Sequence, residues 1–220
     1  MMIKHYLKVA FRNLAKYKVQ SIVSILGLAV GFVCFALSTL WIRYEMTYDT
    51  FHEGAERIYL VRAHYAHEPG KISNSTPYPL ADYLQKGNPE IEAMASTSVQ
   101  KVKFRVKDTE KDVVSATADS VLMNFFNIRV LRGTVNFLKG TNGEIAITEE
   151  FSKRIFGEEE ALGREVEVSG HASKVGAIVS GWSSHSNIPY SILTSARHYT
   201  QWGSANENLF VRIRKGTNGE

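Results

Sequence analysis

Two stretches of this 220-residue sequence gather side chains that could perform acid–base or metal chemistry. His64-Tyr65-Ala66-His67-Glu68 sets two imidazoles beside a carboxylate, and Gly181-Trp182-Ser183 begins like the turn that presents a nucleophilic serine. Neither stretch completes its pattern. On a strand, the i, i+3 spacing of His64 and His67 turns them to opposite faces, and no HExxH or cysteine pair supports a zinc site. In the second stretch His185 stands where the elbow needs its second glycine, so it reads as a turn residue among Ser184, Ser186 and Asn187. Asn74-Ser75-Thr76 is a formal glycosylation triplet of a kind that arises easily by chance. The sequence lacks a G-x-x-x-x-G-K-[ST] loop, so ATP hydrolysis is not expected of this chain. The expectation is a non-enzymatic protein with no catalytic residue, metal or cofactor.

The elements around these residues point to a membrane. From Ser21 to Ile42 run 22 residues without a charge, enough at about 1.5 Å per residue to cross a hydrocarbon core of about 30 Å. Residues 1–20 carry Lys4, Lys8, Arg12, Lys16 and Lys18 and no acid. The remainder holds 21 basic and 22 acidic residues, so the pI of about 9.1 implies no nucleic-acid partner. The positive-inside rule places the N-terminus in the cytoplasm and residues 45–220 outside. A cleaved signal peptide has a shorter apolar region and a small-residue cleavage site, whereas this run ends in Trp41-Ile42-Arg43-Tyr44, suited to an outer headgroup layer. Cys34, the sole cysteine, lies within the run, so no intramolecular disulfide is available.

Ile3, Tyr6, Leu7, Ala10, Leu14 and Tyr17 share one side of a helical wheel, with Lys4, Lys8, Arg12 and Lys16 as an i, i+4 stripe beside them. That pattern predicts an interfacial helix over 1–19 whose cations meet anionic headgroups of the membrane lipids. A membrane span over 20–44 follows, in which Gly27 and Gly31 form a GxxxG suited to close helix contact.

Beyond the span the sequence predicts one α+β extracytoplasmic domain over 45–220, with a small lobe at about 91–118. Expected strands are 58–66, 101–107, 112–118, 143–148, a hairpin of 164–168 with 173–179 around Gly170, and a last strand around Leu209, Val211 and Ile213. Expected helices are 77–86, capped by Ser75-Thr76-Pro77 with Leu80, Ala81, Tyr83 and Leu84 buried, a short one after Asp119-Ser120, and 149–156 stopped by a left-handed Gly157. The basic face of the 101–107 strand is expected to be solvated.

Taken together, these segments resemble the N-terminal part of MacB/FtsX-type ABC transporter permeases, with a first transmembrane helix and a MacB-like periplasmic core domain. The resemblance rests on FRNLAKYKVQSIVSILGLAVGF at 11–32, Tyr48-Asp49-Thr50-Phe51-His52, Arg57-Ile58-Tyr59, Pro79-Leu80-Ala81 and Asn88-Pro89-Glu90-Ile91-Glu92. It continues through Ala118-Asp119-Ser120, Phe125-Phe126, residues 144–166 and Ser184-His185 before Tyr190. It implies a subunit of the bacterial inner membrane that couples a separate cytoplasmic ABC-type ATPase to an extracytoplasmic domain, for efflux, lipoprotein release or mechanotransmission. A second permease copy is an implied partner. Lys4, Lys8, Arg12 and Lys16 would then be coupling residues, and Gly27 and Gly31 helix-packing residues. Such permeases continue into further membrane helices, so this chain, ending at Glu220, is expected to be part of a longer permease, a shortened form or a degenerate gene product. The alternative reading is a stand-alone membrane-anchored binding or sensing module.

Overall fold

A computed structural model describes residues 2–66, 68–107, 109–182, 185–197, 200–203 and 205–217, without the side chains of Ile3, Lys4, Leu7, Phe11 and Asn206. The chain divides into two compact units, Met1–Tyr48 and Asp49–Glu220.

The first unit holds two helices. Helix α1 spans Met2–Lys16, and Tyr17, with a non-helical backbone (φ −108°, ψ 57°), separates it from α2, Lys18–Met46. Helix α2 is long and apolar enough to cross a membrane, and none of its residues is buried. Such exposure of Ile, Leu, Val and Phe around a whole helix needs an apolar surrounding. Thr47 closes the helix, its hydroxyl donating to the carbonyls of Arg43 and Tyr44 at 3.0 Å.

The second unit is built from two sheets and a short ribbon. Strands β1 (Ile58–Leu60), β4 (Ser75–Pro77) and β5 (Ile91–Thr97) each hydrogen-bond to β13 (Ala205–Ile213), all antiparallel. Strands β2 (Ala63–His64) and β3 (Ile72–Ser73) form the ribbon. The larger sheet has the order β10-β6-β7-β12-β9-β11-β8, built from β6 (Val99–Val106), β7 (Thr109–Ala118), β8 (Val130–Gly133), β9 (Glu144–Thr148), β10 (Glu165–Val168), β11 (His171–Val179) and β12 (Ile192–Ser195). Because β10 bonds both β6 and β11, six of these strands close into a ring.

Side-chain alternation assigns the two faces of that ring. Val102, Phe104, Val113, Ile145, Ile147, Val166, Val175 and Ile192 fill one core with Phe151 of helix α5 (Glu149–Phe156). Phe104 meets Phe151 edge-on at 5.0 Å. The alternate residues Ala116, Ala118, Ala146, Val179 and Leu193 join a second core with Leu122, Met123 and Phe125 of α4 (Ser120–Phe125). At Gly133 (φ +90°) any Cβ would lie 2.3 Å from the Gly176 carbonyl oxygen, so the β8–β11 contact requires glycine.

Several sequence expectations need correction. The predicted 58–66 strand is divided between β1 and β2, which join different sheets. Ser75-Thr76-Pro77 is strand β4 and not a helix cap: Thr76 is buried and its hydroxyl donates to the Glu207 carbonyl at 2.9 Å. Helix α3 therefore begins one proline later, spanning Pro79–Gly87, and Tyr83 lies exposed against Trp202 rather than buried. Gly157 has φ +61° but ψ −124°, outside the left-handed helical region. The basic face of β6 is solvated as expected, and there Lys103 pairs with Glu110 at 2.6 Å and Arg105 with Glu167 of adjoining strands.

Candidate functional site

Residues 49–57 form a strap that ties the start of the second unit to four other segments of it. Asp49 stands three residues beyond the end of α2 and has φ +56°, a left-handed conformation that Asp tolerates better than most residues. That turn presents both its amide and its carboxylate to the 185–188 loop. The Asp49 N–H donates to the His185 carbonyl at 3.2 Å. Its carboxylate accepts from the Ser186 hydroxyl, from the Asn187 backbone N–H at 3.2 Å and from the Asn187 side-chain amide at 2.9 Å. Ser186 is itself fixed, its oxygen accepting from the Ile188 N–H at 3.2 Å. These are charge-assisted bonds, the stronger kind.

Next along the strap, the His52 ring sits among aromatic rings: Phe51 at 4.2 Å, Trp182 at 4.8 Å edge-on and Phe126 at 4.9 Å. Trp182 continues the cluster to Tyr190 at 4.9 Å, and Phe126 continues it to Phe210 of β13 at 5.2 Å. Arg212, also on β13, lies 4.5 Å from the Phe125 ring and donates to the Phe125 carbonyl. Burial among these rings holds the His52 imidazole below its ordinary pKa of 6.5, the nearby Asp49 carboxylate opposing and the Arg212 guanidinium reinforcing that shift. Desolvation likewise pushes the Tyr190 phenol up, with its hydroxyl donating to the Ser180 carbonyl at 2.9 Å.

Two further ties complete the strap. Glu53 accepts from the Asn127 side-chain amide at 3.2 Å. Arg57 donates to Glu92 at 2.5 Å and to the Ile213 carbonyl at 2.8 Å, which clamps the strap to β5 and β13 together. The arrangement binds one short segment at many points.

The sequence matches the MacB-like periplasmic core domain over residues 21–220. The chain belongs to this family. It is the MacB-like periplasmic domain of ABC-type transporter permeases, joined here to an apolar helix. Solved structures share the fold. A domain of a protein described as a permease from Porphyromonas gingivalis is 18% identical, with a TM-score of 0.63 over 76% of this chain and 79% of that one. The extracellular domain of the ABC-type transporter YknZ from Gram-positive bacteria is 17% identical, with a TM-score of 0.54 over 72% of this chain and 83% of that one. The periplasmic region of MacB from Actinobacillus actinomycetemcomitans is 12% identical, with a TM-score of 0.53 over 74% of this chain and 76% of that one. A comparison with curated proteins finds no match.

Within this MacB-like chain, the coupling, helix-packing and chemical candidates expected from sequence fall outside the strap. Lys8, Arg12 and Lys16 lie exposed on α1, and the Lys4 side chain is outside the described residues. Gly27 and Gly31 lie on α2 with open space where a Cβ would project. His64 is exposed on β2, and His67 is outside the described residues. His185 is half-buried and contributes its backbone carbonyl to the Asp49 turn. The strap residues were legible only as family-like runs, Tyr48 to His52 and Arg57 to Tyr59, because the partners of Asp49 lie 137 and 138 residues away.

Proposed function

We propose that this chain is the N-terminal portion of an ABC transporter permease subunit that carries motion from a cytoplasmic ATPase to its MacB-like domain. The observation that carries this reading is the strap: four separate ties, at Asp49, His52, Glu53 and Arg57, fasten the segment that follows the apolar helix. Force arriving at Asp49 would therefore be shared by the 185–188 loop, the aromatic cluster and β13, and the domain would move as a body.

In this reading residues 1–19 lie along the inner leaflet of a bacterial inner membrane, 20–44 cross it, and 45–220 are extracytoplasmic. The cations Lys4, Lys8, Arg12 and Lys16 face anionic lipid and the ATPase partner. Gly27 and Gly31 admit a neighbouring helix, such as that of a second permease copy. The outcome of the motion would be efflux, lipoprotein release or activation of an envelope enzyme.

The test is purification of the full-length gene product from detergent-solubilised native membranes, with mass spectrometry and ATPase assay of what accompanies it. A P-loop ATPase whose recovery is lost when Lys4, Lys8, Arg12 and Lys16 are all changed to Glu supports the coupled permease. Recovery of this protein alone at every detergent strength supports a stand-alone anchored sensor instead.

A further inference from the structure

A polar groove of about 570 Å³ opens in the second unit, its wall including Ser98, Thr117, Lys139, Glu144, Arg197 and Glu207. The volume is that of a small-molecule site. Glu207 comes from β13, on the same strand face as Leu209, and is only 9% exposed. Its backbone carbonyl is taken by the Thr76 hydroxyl, yet no donor among the described residues is bonded to its carboxylate. Burial raises its pKa above the ordinary 4.5, and the charge of another acid, Asp119, adds to that. Elsewhere on the wall, Glu144 holds its Oε2 atom out of solvent, again with no hydrogen-bond partner among the described residues. Lys139 and Arg197 are exposed at the groove.

A largely buried carboxylate that faces a groove and has no protein donor is relieved either by taking up a proton or by pairing with a cation that enters the groove. We propose that this groove binds a small zwitterion, its ammonium group received by the Glu207 carboxylate and its anionic group by Lys139 and Arg197. A primary ammonium suits the Glu207 carboxylate because it supplies both the opposite charge and three N–H donors. The rim cations attract the anionic end and repel a molecule that is cationic at both ends. Amino acids and short peptides are ligands of this class.

The full-length chain in detergent micelles would be titrated by calorimetry with three six-carbon probes: 6-aminohexanoate, hexanoate and 1,6-diaminohexane. Saturable binding of 6-aminohexanoate, at least tenfold weaker for hexanoate, is expected. Glu207→Gln is expected to weaken it at least tenfold without lowering the thermal midpoint, since the carboxylate it replaces has no hydrogen-bond partner among the described residues. Lys139→Gln with Arg197→Gln is expected to weaken the zwitterion and strengthen the diamine. Equal binding of hexanoate, an unchanged affinity in Glu207→Gln, or no saturable binding of 6-aminohexanoate up to about 10 mM overturns the proposal. No ATPase is present in this experiment, so its result is independent of the coupling reading.

Discussion

The Asp49 clasp admits a quantitative test. Replacing Asp49 by alanine removes the acceptor for three donors: the Ser186 hydroxyl, the Asn187 amide and the Asn187 side chain. Bonds to a charged group contribute about 1.5–3 kcal/mol each, but Asn187 is exposed and water competes there, so about 1 kcal/mol apiece is the appropriate scale. At φ +56° alanine adds about 1 kcal/mol of backbone cost that aspartate and asparagine largely escape. Asp49→Ala should therefore loosen the strap by about 3–4 kcal/mol, and Asp49→Asn by about 1–2 kcal/mol, since asparagine keeps one acceptor and the turn. Hydrogen exchange of the full-length chain in micelles reads this directly. The amides of Ala55, Arg57 and Ile188, bonded to His52, Gly54 and Ser186, should exchange about 140- to 700-fold faster in Asp49→Ala. Amides of β9 in the ring core should be unaffected. Unchanged exchange in the strap, or equal loss in the two variants, would refute the clasp as a mechanical tie.

Further outcomes follow from other elements. The His52 imidazole should titrate below 6.5 by NMR, and lower still in Asp49→Asn, which removes the charge that favours protonation. Because the folded pKa lies below the unfolded one, the stability owed to neutral His52 is full above about pH 6.5 and is lost as pH falls toward the folded value. A midpoint at or above 6.5 would contradict this. Gly133→Ala should lower the thermal midpoint by several degrees, as a Cβ 2.3 Å from a backbone oxygen forces β8 off β11; an unchanged midpoint would count against that register. Phe104→Ala should cost about 3–5 kcal/mol in denaturant unfolding, its ring being 1% exposed inside the strand ring, and a loss under 1 kcal/mol would mean that the core there is loose.

Local chemistry explains which elements were legible in sequence. Lys101 to Lys107 alternates strictly because one face of β6 meets the core and the other meets water. Thr148-Glu149-Glu150 announces α5, and the Thr148 hydroxyl does accept from the Phe151 amide at 3.2 Å. Strands β5, β8 and β12 went unread for a physical reason. Ile-Leu-Thr-Ser at β12 is four residues long, with Ile192 in one core and Leu193 in the other, so no wet face produces a period. Ile-Glu-Ala-Met-Ala-Ser-Thr at β5 is made of small residues with weak strand preference, ordered by pairing with β13. Ser75-Thr76-Pro77 carries every local sign of a helix start, and the long-range bond from Thr76 to Glu207 overrides it. The candidate site was hidden by the same cause, since its contacts join positions far apart in the chain.

The dependence of the smaller sheet on β13 bears on how the protein is made. Strands β1, β4 and β5 each take their ladder bonds from β13 and none from one another. A nascent chain emerging N-terminus first has produced all three before their common partner exists. Until residue 213 has emerged, these three strands have no sheet to join, and Arg57 lacks the Ile213 carbonyl it will hold. The six-stranded ring, complete once β12 ends at Ser195, can assemble first. Arrival of β13 would then tighten the strap after the ring has formed, so the domain becomes able to bear load only when β13 is in place.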